Sequence, residues 1–201
     1  MKQPTRQQIQ EAKDYIKLRV RAEISMSDNL QKVLLQAANE IVDISLKYGI
    51  KPSLFRFSAN KELNDEVNKV LDKLRDTIYG YTETLSVYDR ENDRDAIVAF
   101  INREDHGKTL SERISIYSNR FKYELEAAIA AGLIAGIGGE KIKNNIKSNL
   151  ESPYSDPYFK KAVEGGNSSA TRIKTDGISY GVGKSNSAYN SLNTLTRFIV
   201  G

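Results

Sequence analysis

The chain contains no cysteine and no tryptophan, a single histidine and only four prolines in 201 residues. Without cysteine there is no disulfide and no thiolate metal site, and the composition fits a reducing compartment. With His106 as the one imidazole, a histidine-based zinc site or a Ser-His-Asp arrangement would have to use that residue. It stands in the polar run Arg103-Glu104-Asp105-His106-Gly107-Lys108, where the plain reading is a solvated loop histidine. Long apolar runs are missing too. No window approaches the roughly 18 consecutive apolar residues of a membrane span, and the mean hydropathy is -0.51. The opening residues, MKQPTRQQIQEAK, have no apolar stretch of the kind a secretory leader needs, so no signal peptide is expected.

What is present suits a core with a well-solvated surface: 39% apolar and 28% charged residues. The net charge of +4 is unevenly spread. Residues 1–21 hold six Lys/Arg against two Asp/Glu, residues 22–140 hold fifteen against twenty, and residues 141–201 hold nine against four. Such a pattern arises from ordinary solvated helix faces. It also suits basic ends that meet a polyanion or an acidic protein surface.

Three-four spacing of apolar residues runs through the chain and predicts an all-α fold. Ile9, Ala12, Ile16, Val20 and Ile24 give a first helix from about Thr5 to Ile24. Ser27-Asp28 reads as the N-cap of a second, near 29–48, ended by Tyr48-Gly49 and blocked by Pro52. Leu54 to Phe57 is a short linker with an extended option. Ser58 or Asn60 restarts a helix whose stripe, Leu63 to Leu85, lasts about six turns, with Gly80 as a soft spot. Thr109-Leu110-Ser111-Glu112 is a capping box opening a helix over about 110–135. Its second half, AAIAAGLIAGIGG, is small and apolar nearly all round and is expected to be the most buried. Glycines 136, 138 and 139 break the chain. Then Ile142, Ile146 and Leu150 point inward from a short helix, with Lys141, Lys143 and Lys147 outward. Asp156-Pro157 marks another helix start, and Gly165 to Ser169 a loop or N-cap. The Ser-, Asn- and Gly-rich tail keeps one helical face, Ile173, Gly177, Gly181, Lys184, Ala188, Leu192 and Leu195, and needs partner contacts to hold it. The expected architecture is an elongated bundle of long amphipathic helices with a small-residue-rich C-terminal helix, divided into helical regions at 1–105 and 106–201.

Three chemical motifs are near misses. Gly181-Val182-Gly183-Lys184-Ser185 lacks the first glycine of a phosphate loop, since Ile178 stands five residues before Gly183. The alternating carboxylates of residues 89–95 suggest a calcium loop, but Arg94 replaces the required glycine and Phe100 the bidentate glutamate. Asp72/Asp76, Glu62/Glu66 and Glu91/Asp95 are helix-spaced carboxylate pairs on polar faces. No pair sits on an apolar face where burial would shift its pKa, so no acid–base pair is expected. The eleven Tyr and six Phe lie mostly on helix stripes, which favours packing over base stacking. No enzymatic activity, cofactor or metal is expected.

Residues 109–195 resemble the Mu F-like phage head-morphogenesis (minor capsid) proteins. The features that carry the likeness are the apolar helix ending AAIAAGLIAGIGGEKIKNNI, the proline-containing connector, and SSATRIKTDGISYGVGKSNSAYNSL. The family's Arg-Thr-Glu-like signature corresponds to Lys174-Thr175-Asp176, with Arg172 close by and Ser187-Ala188-Tyr189-Asn190 downstream; lysine for arginine and aspartate for glutamate keep the charge signs. The resemblance implies a non-enzymatic structural protein near the portal, acting in head assembly and DNA packaging or delivery. It implies portal or capsid proteins as partners, DNA contact, homo-oligomerisation, and residence in the host cytoplasm during assembly and then in the virion. Arg172, Lys174, Thr175 and Asp176 become the candidate binding residues, although a salt-bridge set within and between helices explains the same cluster. One departure is large. Family members often continue into a Cys-x-x-Cys and His/Cys region, whereas this sequence stops at Phe198-Ile199-Val200-Gly201. The apolar ending is expected of a fragment or processed piece, or of a tail that tucks into a partner. The alternative function is nucleic-acid binding through the basic ends.

Overall fold

The computed structural model describes residues 3–89, 95, 98–99, 102–104, 107–151, 158–175, 187–192 and 195, and of 82–89 the backbone alone. His106, the Gly181–Ser185 motif, Asp156-Pro157, Asp176 and most of the 89–95 run lie outside these residues. The described residues are mostly helical, with no strand among them.

The first helix, α1, is Arg6–Lys47, 42 residues and about 63 Å long. It is one helix where the sequence reading expects two. Ser27-Asp28 does not cap a new start. Ser and Asp inside a helix cost only some tenths of a kcal/mol each, while ending one helix and starting another strands four C=O and four N–H groups. The apolar stripe also runs through the position in phase, with Met26 and Leu30 both buried. At the true start, Thr5 Oγ1 accepts from Gln8 N–H (3.2 Å) and Gln8 Oε1 accepts from Thr5 N–H (2.9 Å), closing a capping box. Gly49, at φ +56, turns the chain out of the helix after Tyr48.

The linker is core rather than spacer. Two 3-10 turns, Pro52–Leu54 and Phe57–Ala59, flank extended Phe55 and Arg56. Phe55 and Phe57 are both buried and meet edge to face, 5.8 Å between ring centres. Asn60 Oδ1 then accepts from Leu63 N–H (3.1 Å) and opens α2, Lys61–Asp89, which packs back along α1 and continues through Gly80.

Helix α3, Leu110–Ile134, starts at the Thr109/Glu112 capping box and is the centre of the fold. It touches α2, the linker, α4 (Gly139–Glu151), α5 (Phe159–Glu164) and α6 (Ser168–Thr175). Its small residues permit this crowding: a Cβ built on Gly132 would lie 2.7 Å from Ile142 Cγ1 of α4. Ile142, Ile146 and Leu150 are buried as expected. Lys143 is not simply outward; its ammonium lies 3.0 Å from Asp43 of α1 and 2.6 Å from Glu140.

The main core runs from Met26 to Leu195 through α1, the linker, α2, α3, α4 and the C-terminal segment. A smaller cluster joins Ala127 and Ala131 of α3 to Phe159, Ala162, Ala170 and Ile173. Asn167 caps α6, its Oδ1 accepting from Ala170 N–H (2.9 Å). A further helical stretch, 188–192, begins after Ser187, whose Oγ accepts from Asn190 N–H (3.1 Å). The tail is therefore not one continuous helix, because Ser187 caps a new one, although Ile173, Ala188, Leu192 and Leu195 are all buried as a shared face requires.

Candidate functional site

Arg172, Lys174 and Thr175 all lie on α6, the first two in its last turn. The Arg172 guanidinium lies over the Tyr123 ring of α3, 4.2 Å from its centre. Thr175 Oγ1 donates back to Thr171 O (2.9 Å), a bond that occupies the hydroxyl within its own helix. Lys174 is exposed. Nearby, Lys161 sits 5.7 Å over the Tyr158 ring, and Lys160 pairs loosely with Glu164. Three of the four signature residues thus share one short helix with two cation–aromatic contacts beside it; Asp176 is outside the described residues.

The sequence reading places no carboxylate in the interior, and the structure corrects this. Glu124 and Glu126 of α3 are 2% and 6% exposed. They stand two residues apart, so they leave the helix on opposite sides, about 160° apart. Glu126 faces the linker and α6: Oε2 accepts from Phe57 N–H (2.7 Å) and Oε1 from the Ser169 hydroxyl. Glu124 faces the C-terminal segment, and both its oxygens accept from Ala188 N–H at 2.9 Å. A carboxylate at that helix start also meets the positive end of the helix dipole. Asn167 continues the pattern by donating from Nδ2 to Phe55 O (3.0 Å). These groups close the backbone gaps that a folded linker and two late helix starts create. Because the two carboxylates diverge and bind main-chain and hydroxyl donors, they do not form a converging acid–base pair.

A half-buried charge supports the same helix. Lys122 Nζ donates to Asn64 Oδ1 (2.8 Å) and Asn68 Oδ1 (2.7 Å) of α2. Burial pushes its pKa down, against the pull of the Glu126 carboxylate, which raises it. Arg75 of α2 completes the seam by donating to Asn119 (2.8 Å) and to Asp72 (2.7 Å). The signal for this network was in the sequence. The second half of this helix is apolar nearly all round and leaves little solvent face, so the carboxylates of Glu124 and Glu126 have to be buried and paired.

Among the described residues, the large feature that the bundle leaves open is the first half of α1. No side chain from Arg6 to Ser25 is buried. Ile9, Ile16, Val20 and Ile24 are 41%, 57%, 46% and 58% exposed. They continue, in phase, the stripe that Leu30, Leu34, Ala38, Ile41 and Ser45 bury in the second half. Two of the arm's three acids are tied to its far side: Gln7 donates to Glu11 (2.9 Å), Gln10 to Asp14 (3.0 Å), and Lys17 lies 3.5 Å from Asp14; the third, Glu23, lies beside the stripe itself.

Among the described residues, no group of three or more His, Asp or Glu side chains is placed to hold a metal ion, and no helix is long and apolar enough to cross a membrane. No known protein family, curated protein or solved structure matches the chain. The likeness of residues 109–195 to head-morphogenesis proteins rests on residue pattern alone.

Proposed function

We propose that this chain is a non-enzymatic structural and assembly protein, a phage minor head protein that acts near the portal in capsid assembly or DNA packaging and delivery. The observation that carries the assembly role is the arm of α1. It is roughly 30 Å of helix whose apolar stripe is the bundle's own packing stripe, left open. An exposed run of this kind marks a protein interaction surface. The buried carboxylates support the non-enzymatic half, because each is engaged in holding backbone starts. The phage assignment draws on the Lys174-Thr175-Asp176 signature and the Gly/Ala-rich α3 before it.

The test is association. The full chain is expected to self-associate by light scattering, or to co-purify with portal or capsid proteins when these are expressed together. An Ile16→Asp/Val20→Asp variant is expected to lose that association and keep its melting temperature. A monomeric chain that binds neither protein, or a variant that associates normally, contradicts the proposal.

A second reading, nucleic-acid binding by the basic ends, is favoured by Lys160, Lys161, Arg172 and Lys174 around Tyr158 and Tyr123. It requires DNA affinity that falls steeply with salt. A flat salt response, or no binding at low salt, removes it.

A further inference from the structure

Lys13, Ile16, Val20 and Glu23 follow one another along the open stripe of α1. Steps of three, four and three residues keep them within about 80° of the helix circumference. Lys13, Ile16 and Val20 are exposed and Glu23 is half-buried. The order is cation, apolar, apolar, anion, and both the outer and the inner pair are centred at the level of Leu18. A two-fold axis at that level sets Lys13 of each copy against Glu23 of the other, and Ile16 of each against Val20 of the other. The arm is its own complement.

From this pattern we infer that the arm of α1 pairs, antiparallel and in this register, with the arm of a second copy of the chain. The inference rests on the assembly role and names the partner at that surface. Farther along the same helix the stripe packs against α2, so the seam is shaped for a helix. Charge selects the orientation. Parallel pairing sets Lys13 beside Lys13 and Glu23 beside Glu23, whereas antiparallel pairing brings opposite signs together twice. It also sends the two bundles to opposite ends of the pair. Lys17 and Arg19 stand at the two edges of the seam, near the axis, and face their own counterparts there. Lys17 already lies 3.5 Å from Asp14, and Arg19 is engaged within its own chain; solvent and salt screen the remaining repulsion. The arm has no Trp or Phe of the kind that anchors interfacial helices in lipid.

Sedimentation equilibrium of the full chain from about 1 μM to 1 mM tests the pairing. The native chain is expected to dimerise, and Ile16→Asp to weaken the dimer about tenfold or more. Lys13→Glu and Glu23→Lys each set like charges opposite one another twice, so each should weaken self-pairing about tenfold. Mixed together, these two variants should pair with each other as tightly as the native chain does with itself. The double variant Lys13→Glu/Glu23→Lys should self-pair like the native chain and fail to mix with it. Because the chain has no cysteine, the register has a second readout that does not depend on charge. A mixture of Lys13→Cys and Glu23→Cys chains should form an intermolecular disulfide, and Lys13→Cys alone should not, its two thiols standing about 15 Å apart along the pair. A chain that stays monomeric over that range overturns the inference. So does pairing that ignores the charge swaps, a double variant that mixes with the native chain, or a disulfide in Lys13→Cys alone. A monomer that still captures a portal or capsid protein, and loses it in Ile16→Asp, leaves the assembly role standing; a monomer that captures neither removes both.

Discussion

Replacing Glu126 by alanine distinguishes a carboxylate that holds the fold from one kept for chemistry. The side chain is 6% exposed and takes a backbone bond from Phe57 (2.7 Å) and the Ser169 hydroxyl. Glu126→Ala leaves both donors in the interior, at about 1–3 kcal/mol each. Relief from burying an ionised carboxylate, and water entering the space, offset part of this. The expected net loss is about 3 kcal/mol, and in a chain of this size roughly 6–12 °C in melting temperature. Glu126→Gln keeps one good acceptor and should lose about half as much. Combined with Ser169→Ala, the loss should fall short of the sum of the two single losses, because the two side chains share a bond. Urea and thermal unfolding of the four variants measure all of this. A melting temperature that is unchanged or raised in Glu126→Ala would refute the structural role, since removal of a strained functional group typically stabilises.

Other outcomes follow from the same packing. Gly132→Ala brings a Cβ to 2.7 Å from Ile142 Cγ1 and should cost about 1–3 kcal/mol by overpacking, despite the better helix propensity of alanine; Ile142→Val in the same chain should recover part of the loss on denaturation. Thr109→Ala removes the α3 cap and should cost about 1 kcal/mol. The Thr109 backbone N–H, followed by its hydroxyl, holds the Glu112 carboxyl below its usual range. Its contribution is therefore present above the ordinary glutamate pKa and fades as pH falls through the lowered one, so the melting difference between the native chain and Glu112→Gln should narrow in acid. The Tyr189 hydroxyl is buried without a hydrogen-bond partner among the described residues. Burial, aided by the Glu151 charge, pushes its pKa up to about 12. A phenol raised in the folded state contributes stability that is lost as pH climbs from its ordinary value of about 10 toward that raised one. Tyr189→Phe should leave stability at neutral pH equal or slightly higher, and flatten its alkaline decline.

The all-α class, the helix start near Thr5, the Thr109 capping box, the Gly49 turn and the inward face of α4 were legible because each depends on spacing or a local cap. The continuity of α1 was not, because Ser27-Asp28 is a cap only if something else ends the preceding helix, and the cost of two helix ends outweighs the weak local preference. The burial of Phe55 and Phe57 depends on α3 offering Glu126 to the Phe57 N–H, a partner 69 residues away. The burial of Glu124 and Glu126 is not legible for a related reason. Carboxylates spaced i, i+4 share one helix face, whereas these two stand at i, i+2 and serve opposite faces of a helix surrounded on most sides. Of the signature, Arg172, Lys174 and Thr175 fall together on α6, but the stacking of Arg172 on Tyr123 is a tertiary contact that no local pattern specifies.

The central claim is that one stripe on α1 serves the bundle in its second half and a partner in its first. Amide hydrogen exchange on the intact chain, alone and with its assembly partner, tests this most directly. Residues 6–25 are predicted to exchange quickly in the free chain and to become protected in the complex, while 30–45 stay protected in both. Equal protection of the two halves in the free chain, or an arm that still exchanges quickly in the complex, would contradict it.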